Sequence, residues 1–360
     1  MDPFEIDPDI TAASTLHADA YRDPARFEAS RDRIFARSWQ LLGDAARVRT
    51  PGSASPHTLL DGMLSEPLLL TRDADDALHC LSNVCTHRGT LVCEGDTHAQ
   101  QLRCRYHGRR FALDGSFLSM PGFEGARSFP APSDSLPKIP LERWGRWLFA
   151  SLRPAVPFAE WIGDAQRRLA FLPLDSFAPE PALARDYLVQ AHWALYVENY
   201  LEGFHVPFVH PALSAALDPS GYRTELFRLS SLQVGIAASP GDAFTLPAGH
   251  PDHGQAVAAY YWWLWPNLML NFYPWGLSAN VVTPLAPDRC RVSYLAWVLD
   301  RSRLGTGAGG ALDRVEREDE EVVESVQRGL RSRLYSRGRY SPKWETGVHH
   351  FHRLLGTALR

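Results

Sequence analysis

The sequence predicts an α+β protein in two parts, a small all-β domain followed by a larger domain in which helices accompany antiparallel strands. Three observations carry this expectation. Residues 41–153 alternate short apolar runs, such as Leu68–Leu70 and Trp147–Leu152, with Gly, Pro, Asp and Ser, the texture of many short strands. Residues 226–300 read as a second run of strands, flanked at 191–204 and 311–335 by stretches of helical spacing. The chain has 360 residues, 45% hydrophobic and 22% charged, enough for two soluble domains with sizeable cores.

Taken in order, residues 16–40 place apolar and aromatic side chains at helical spacing around Pro24, so residues 1–40 are expected to form an N-terminal helical arm. The all-β domain is expected over 41–153. Residues 154–181 are rich in Pro and read as a connection with one short helix around Phe158–Leu172. A helix is expected over Ala191–Phe204, a flexible Gly-rich loop over 301–310 and a strongly charged helix over 311–335, all inside a second domain of residues 154–360. Residues 256–275 are apolar enough to suggest a membrane span, but Pro266, Asn267, Asn271 and Pro274 interrupt them. Two core strands around a Pro-Asn turn fit better, so no membrane segment is expected. The net charge of -4 is spread along the chain, without the basic stripe a nucleic-acid binder needs. The N-terminal residues are acidic and lack a basic segment followed by an apolar core, which makes the cytoplasm the expected compartment.

Of the five cysteines, Cys80, Cys85, Cys93 and Cys104 fall within 25 residues and mix with histidines, a clustering that points to metal and not to a disulfide framework. The segment reads Cys85-Thr86-His87-Arg88-Gly89, then Cys104-Arg105-Tyr106-His107-Gly108: C-x-H, a spacer of sixteen residues, and C-x-x-H. Two thiolates and two imidazoles suit either zinc or an iron–sulfur centre. The tight C-x-H pair and the glycines that follow, which let backbone N–H groups approach cluster sulfurs, weigh against zinc. The pattern strongly resembles the Rieske motif of ring-hydroxylating and related oxygenases, in which two Cys hold one iron and two His the other. Arg110-Phe111 and Leu113-Asp114-Gly115 extend the likeness. Arg109 departs from it, since relatives often carry Trp there, a change expected to leave ligation alone. Respiratory-chain Rieske proteins resemble a pattern with an extra Cys pair; Thr90 and Arg105 stand at those places here, so Cys80 and Cys93 are expected to be ordinary buried residues.

A second constellation lies at 198–211. Glu202 and His205 are three apart and would share a helix face, Pro207 cannot continue a helix, and the turn it forces lets His210 return to the same locus. Two imidazoles and one carboxylate would make the facial triad of a non-haem Fe(II) oxygenase, although an isolated pair of histidines before a proline is more often plain structure. The E-x-x-H-x-x-x-x-H segment after Glu198-Asn199-Tyr200 is similar to the iron-binding helix of Rieske oxygenases. That resemblance implies His205 and His210 as iron ligands, and Glu202 as the carboxylate linking the iron to the Rieske cluster of a neighbouring subunit, with Glu198 as the fallback. Relatives often read Asn-Trp-Lys where this chain has His192-Trp193-Ala194. The third ligand should be a carboxylate of the charged helix, which offers Glu316, Glu318, Asp319, Glu320, Glu321 and Glu324. Most of these would face solvent. The family pattern points to Asp319, with Glu320 second.

The resemblance spans nearly the whole chain and implies a Rieske β domain, with the N-terminal arm packed on a catalytic domain of helix-grip (START-like) architecture, an antiparallel sheet around a long helix. It implies a [2Fe–2S] cluster on Cys85, His87, Cys104 and His107, a mononuclear Fe(II), and electrons ultimately from NAD(P)H through a separate ferredoxin or flavin reductase. The expected activity is a terminal oxygenase that uses O2 to hydroxylate or oxidatively demethylate a small aromatic or quaternary-ammonium substrate, within a homotrimer. An electron-transfer-only Rieske protein is the alternative. Trp263, Trp265, Met269, Asn271 and Tyr273 are candidate pocket residues by alternation along strands.

Overall fold

Leu68, Leu69 and Leu70 explain how the N-terminal β unit holds together. In the computed structural model, which describes residues 4–218, 220–310 and 312–360, Leu68 and Leu70 enter one core with Val48, Leu59, Cys80 and Leu148. Leu69 enters a second core with Leu81, Cys85, Cys104 and Phe111. Successive residues of a strand point to opposite faces, and here both faces are buried, so the run is continuously apolar. The strands of this unit, Ala36–Ala155, are β1 (Gln40–Asp44), β2 (Ser53–Leu59), β3 (Glu66–Arg72), β4 (Leu78–Ser82), β5 (Thr97–His98), β6 (Leu102–Arg103), β7 (Arg110–Phe111), β8 (Phe117–Ser119), β9 (Leu141–Trp144) and β10 (Trp147–Ala150). They pair as the small antiparallel sheets β4-β3-β2-β5, β1-β10-β9 and β6-β7-β8. In the last of these the paired strands β6 and β7 flank the second Cys/His loop.

The second unit joins the residues up to Phe35 to Val156–Arg360. Its antiparallel sheet comprises β11 (Ala178–Pro179), β12 (Arg185–Val189), β13 (Arg223–Leu226), β14 (Ser230–Ile236), β15 (Val257–Leu264), β16 (Leu268–Tyr273), β17 (Gly276–Ala286) and β18 (Arg289–Val298), in the order β11-β18-β17-β16-β15-β14-β13 with β12 also on β18. The apolar stretch 256–275 is β15 and β16 around Trp265-Pro266-Asn267, where Asn267 Nδ2 donates to Val282 O at 2.9 Å. Among the described residues no helix is long and apolar enough to cross a membrane.

The helices of this unit are α1 (Asp19–Arg22), α2 (Pro24–Arg33), α3 (Phe158–Arg168), α4 (Trp193–Tyr200), α5 (Val206–Val209), α6 (Pro211–Ala216), α7 (Leu312–Gly329) and α8 (Thr346–Leu359). The long helix α7 is tied to the segment before α4: Gln190 N–H donates to Glu324 Oε1 and His192 N–H to Gln327 Oε1, both at 2.9 Å. These bonds set the register of α7 against α4. The residues before Phe35 close over the C-terminus of α8, where Arg26 and Arg33 donate to the Leu359 carbonyl at 3.3 and 3.0 Å, a cation placement that suits the negative end of a helix.

Two expectations need correction. The helix expected to reach Phe204 ends at Tyr200, because Gly203 and Pro207 interrupt it, so Glu202 and His205 do not meet through helical spacing. The charged helix stops at Gly329, six residues short of the expected 335, and a second long helix, α8, follows that the sequence reading did not anticipate.

Candidate metal centres

Cys85 and Cys104 each open a tight loop of the same design. Cys85 N–H donates to Thr90 O at 2.8 Å and its carbonyl accepts from Gly89 N–H at 3.0 Å; Cys104 N–H donates to Arg109 O at 2.8 Å and its carbonyl accepts from Gly108 N–H at 3.0 Å. The glycines sit at φ +73° and +72°, the left-handed conformation that favours glycine over any residue with a Cβ. The matched loops bring Nδ1 of His87 and Nδ1 of His107 to 3.1 Å. Both sulfurs are buried and within hydrogen-bonding reach of each other, whereas His107 is exposed. Burial pulls the His87 pKa down, and the neighbouring His107, Arg88 and Arg109 add to this, so a neutral imidazole is favoured, the form that ligates metal. The donor set therefore fits a cluster with its sulfur-bound side inward and its imidazole-bound side at the surface. Cys80 stands apart in the other core, its thiol pushed up to about 12 by burial, and the Cys93 thiol contacts Gly95 O at 3.0 Å.

Arg109 proves to be more than a neutral departure. Its side chain is only 2% exposed, pairs with Asp134, and lies over the rings of Phe117, Phe129 and Phe111 at 5.0, 5.6 and 6.0 Å. Asp134 in turn accepts from Ala131 N–H at 2.7 Å, and its carbonyl accepts from Thr86 Oγ1 at 2.7 Å. The pair thus fastens the Cys85 loop to the Cys104 loop from beneath.

In the second unit, His205, His210 and Asp319 each present a ligand atom within 4.8 Å of the others. Asp319 Oδ1 lies 2.9 Å from His210 Nε2 and 3.4 Å from His205 Nε2. Each imidazole has a carboxylate on its other nitrogen: Glu202 Oε1 on His205 Nδ1 at 2.6 Å, and Glu318 Oε2 on His210 Nδ1 at 2.7 Å. Such partners fix ring orientation and tautomer and raise ligand basicity. Glu202 reaches His205 because its other oxygen accepts the backbone N–H groups of Phe204 and His205 in the bend after α4. Asn199 Nδ2 donates to Asp319 Oδ1 at 2.5 Å. Burial pulls the His205 pKa down, but hydrogen bonds to Asp319 and Glu202 and their charges outweigh it and raise it to about 9. The Asp319 carboxyl is pushed up by burial and held below its ordinary range by the two histidines. Two imidazoles and one hard oxygen converging on one point, ringed by excess negative charge, fit a divalent iron.

Glu320 lies outside this group, with Oε1 buried and lacking a hydrogen-bond partner, and burial raises its pKa to about 7. Glu198 accepts from Tyr21 Oη at 2.9 Å and lies 3.1 Å from His352 Nε2. The triad borders a cavity of about 100 Å3 whose wall includes Tyr196, Tyr200, Tyr222, Tyr261, Tyr273 and Glu316. Of the expected pocket residues, Asn271 and Tyr273 line it. Trp263 and Met269 pair further along the same sheet face, where Trp263 packs on Phe351 of α8 at 5.4 Å, and Trp265 packs there too. The alternation was sound, but α8 fills that end of the face. The sequence reading missed Tyr196, Tyr200, Tyr222 and Tyr261; the first two were available as a helical i, i+4 pair and the last lies on the same alternation as Trp263.

A Rieske [2Fe-2S] domain model matches residues 38–130, and the model for the ring hydroxylating alpha subunit (catalytic domain) matches 158–360. A chloroplastic choline monooxygenase of Arabidopsis thaliana is 30% identical, covering 98% of this chain and 85% of that protein. The carnitine monooxygenase oxygenase subunit of Escherichia coli (strain K12) is 28% identical, covering 97% and 94%. Among solved structures, the quaternary ammonium Rieske monooxygenase CntA in complex with L-carnitine aligns with TM-score 0.75 at 22% identity over 97% of this chain and 96% of that one. Naphthalene 1,2-dioxygenase from Rhodococcus sp. aligns with TM-score 0.70 at 19% identity over 96% and 93%. A β domain for a cluster and a sheet-and-helix domain for an iron make an oxygenase of the two-centre type. The chain belongs to the ring-hydroxylating alpha-subunit family of Rieske oxygenases. It is an oxidoreductase with a [2Fe–2S] cluster and a mononuclear iron, fed with electrons by a partner and acting on a small substrate with O2. The catalytic-domain match sets aside the electron-transfer-only alternative.

Proposed function

We propose that this oxygenase hydroxylates or oxidatively demethylates a small quaternary ammonium compound. The observation that carries the reading is the ring of five tyrosines around the small cavity at His205, His210 and Asp319. Aromatic faces attract a quaternary ammonium through their quadrupoles, by roughly 0.5–2 kcal/mol each depending on desolvation. The rings are held in place: Tyr200 Oη donates to Asn271 Oδ1 at 2.7 Å, Tyr222 Oη to Gln233 Oε1 at 2.6 Å, and the hydroxyls of Tyr196 and Tyr294 bond each other. Burial pushes these phenols upward, so they stay neutral. Relatives named for choline and carnitine support the same class.

In this reading Cys85, His87, Cys104 and His107 hold the cluster, and His205, His210 and Asp319 hold the iron. When bound, the cluster supplies single electrons and the iron activates O2. Glu202 orients His205 and stands on the route from the cluster of a neighbouring subunit in a homotrimer. Exposed Tyr106 and His107 on one unit, and exposed Phe204 and Phe208 beside Glu202 on the other, support a head-to-tail contact, which closes into a ring when the rotation permits. The Rieske domain at 41–153, the arm at 1–40 and the catalytic domain at 154–360 are the proposed functional divisions. A separate NAD(P)H-linked ferredoxin or flavin reductase and a cytoplasmic location complete the reading. The test is coupled oxygen uptake with a surrogate reductase across methylammonium compounds and arenes. Uptake with product formation on ammonium compounds is expected; turnover of arenes alone would overturn it.

A further inference from the structure

We propose that Glu316 is the counter-ion for the substrate's ammonium group, and that the cavity therefore selects a monocation without a carboxylate over a zwitterion. This rests on the quaternary-ammonium reading above and specifies which members of that class are taken.

The argument starts on α7. Leu312, Val315, Glu316 and Asp319 stand at i, i+3, i+4 and i+7, so one helix face supplies the cavity's apolar floor, a carboxylate and the candidate iron ligand. Residues three apart on a helix are neighbours roughly 5–6 Å apart, which sets a cation held by Glu316 one short step from the reacting locus. Of the other nearby acids, Glu202 and Glu318 are engaged by imidazoles, Asp319 by both and Asp313 by Tyr187, while Glu320 is not part of the cavity wall. Glu316 makes no hydrogen bond or ion pair among the described residues. Arg185, whose charge reaches it, donates to the Ala182 and Ala184 carbonyls at 2.8 and 2.7 Å. Burial first, then Asp313, Asp319 and Glu320, raise the Glu316 carboxyl to about 8, the mark of a charge without compensation. A half-buried carboxylate left unpaired carries a desolvation cost, and a cation in the cavity reduces that cost. The rings of Tyr196 and Tyr273 line the same space.

The rest of the wall supports the exclusion. Among the described lining residues there is no Lys or Arg; besides the tyrosines and the iron-holding His205 and His210, the polar groups are Asn199, Asn271, Asn280 and Gln233, with acidic Glu202, Glu316 and Asp319. With a divalent iron bound, Asp319, Glu202 and Glu318 more than offset its two charges, so a substrate carboxylate would enter a cavity that Glu316 makes more negative, with no Lys or Arg to pair with, and like charges in a desolvated site repel. A hydroxyl would find the amides.

The test is calorimetric binding to anaerobic holoenzyme with three probes: choline, its neutral carbon isostere of the same size 3,3-dimethylbutan-1-ol, and the larger zwitterion carnitine. Wild type should bind choline at least roughly tenfold tighter than either of the others, a factor equivalent to one well-formed charge contact. Glu316→Gln should erase the preference for choline over the isostere, leave the isostere's affinity within about threefold, and narrow the gap to carnitine; Glu316→Asp, which keeps the charge, should retain part of the preference. The cluster spectrum of each variant checks that it is folded. If choline binds but Glu316→Gln keeps the wild-type choline-to-isostere ratio, or if wild type binds carnitine as tightly as choline, the counter-ion role fails while the ammonium reading stands. If wild type binds no ammonium compound but does bind an arene, both fail.

Discussion

Replacing Asp134 by Asn should loosen the first centre without touching any of its four candidate ligands. Arg109 is 2% exposed and Asp134 20%, so the substitution leaves a guanidinium buried without its anion. Breaking a buried pair in this way costs about 3–5 kcal/mol. Two features reduce that figure: Asp134 is partly hydrated, and three aromatic rings beneath Arg109 return about 1 kcal/mol through cation–π attraction. A net loss of about 2–3 kcal/mol follows, which for a unit the size of Ala36–Ala155 lowers its melting midpoint by about 10 °C. The assay is thermal bleaching of the cluster's visible absorption in the full-length protein, compared at a single scan rate because cluster loss is irreversible. The Ala131 N–H bond first, and then Arg109, hold the Asp134 carboxyl below its ordinary range. Its contribution is thus complete at neutral pH and is lost only as pH falls through that lowered pKa. Asp134→Asn combined with Arg109→Trp should recover part of the loss, since exchanging both partners avoids a stranded charge. A midpoint for Asp134→Asn within about 2 °C of wild type would refute the reasoning, because no buried pair could then be holding the two loops together.

Asp319→Ala should release the mononuclear iron and spare the cluster, whereas Glu320→Ala should keep both; iron analysis of the purified variants decides, and the reverse pattern would move the ligand by one residue. Iron loading should be proton-linked. His205, at about 9 in the metal-free site, carries a proton at neutral pH that Fe(II) must displace, so apparent affinity should rise roughly tenfold per pH unit for each proton released up to about pH 9. A pH-independent affinity in anaerobic titrations would contradict this. Glu202→Gln should leave both metals bound yet slow single-turnover oxidation of the cluster by orders of magnitude, read by stopped-flow absorbance; a wild-type rate would mean that Glu202 is not on the route.

The cluster motif was legible because its chemistry is local: four ligands in two short loops, each closed by a glycine at positive φ. Its support was not. Arg109 and Asp134 are 25 residues apart, and nothing in either neighbourhood shows that one would be sealed under the other. The histidine pair was legible for a reason that proved partly wrong. Glu202 and His205 do meet, but through a bend in which the Glu202 carboxylate gathers two backbone N–H groups, since Gly203 ends the helix too early for helical spacing to act. The alternation along β15 and β16 marks the correct sheet face, yet Phe351 of the much later helix α8 packs on its Trp263 end, and no local pattern reports such distant packing.

Helix α7 shows how one acidic run is divided by geometry alone. Six carboxylates between Glu316 and Glu324 look interchangeable in sequence, and net charge would send all of them to solvent. The bonds from Gln190 and His192 to Glu324 and Gln327 fix the helix rotation, and the 3.6-residue period then assigns the remaining positions. Asp319 faces both imidazoles, Glu318 reaches around to the far nitrogen of His210, and Glu316, nearly one turn earlier, faces the cavity without a partner. The shorter Asp stands where an oxygen must meet two histidines at once, and the longer Glu where a carboxylate must extend sideways to one. A single residue of rotation would exchange these environments, so the two backbone-to-side-chain bonds at the far end of α7 act on the iron site and on substrate charge selection together.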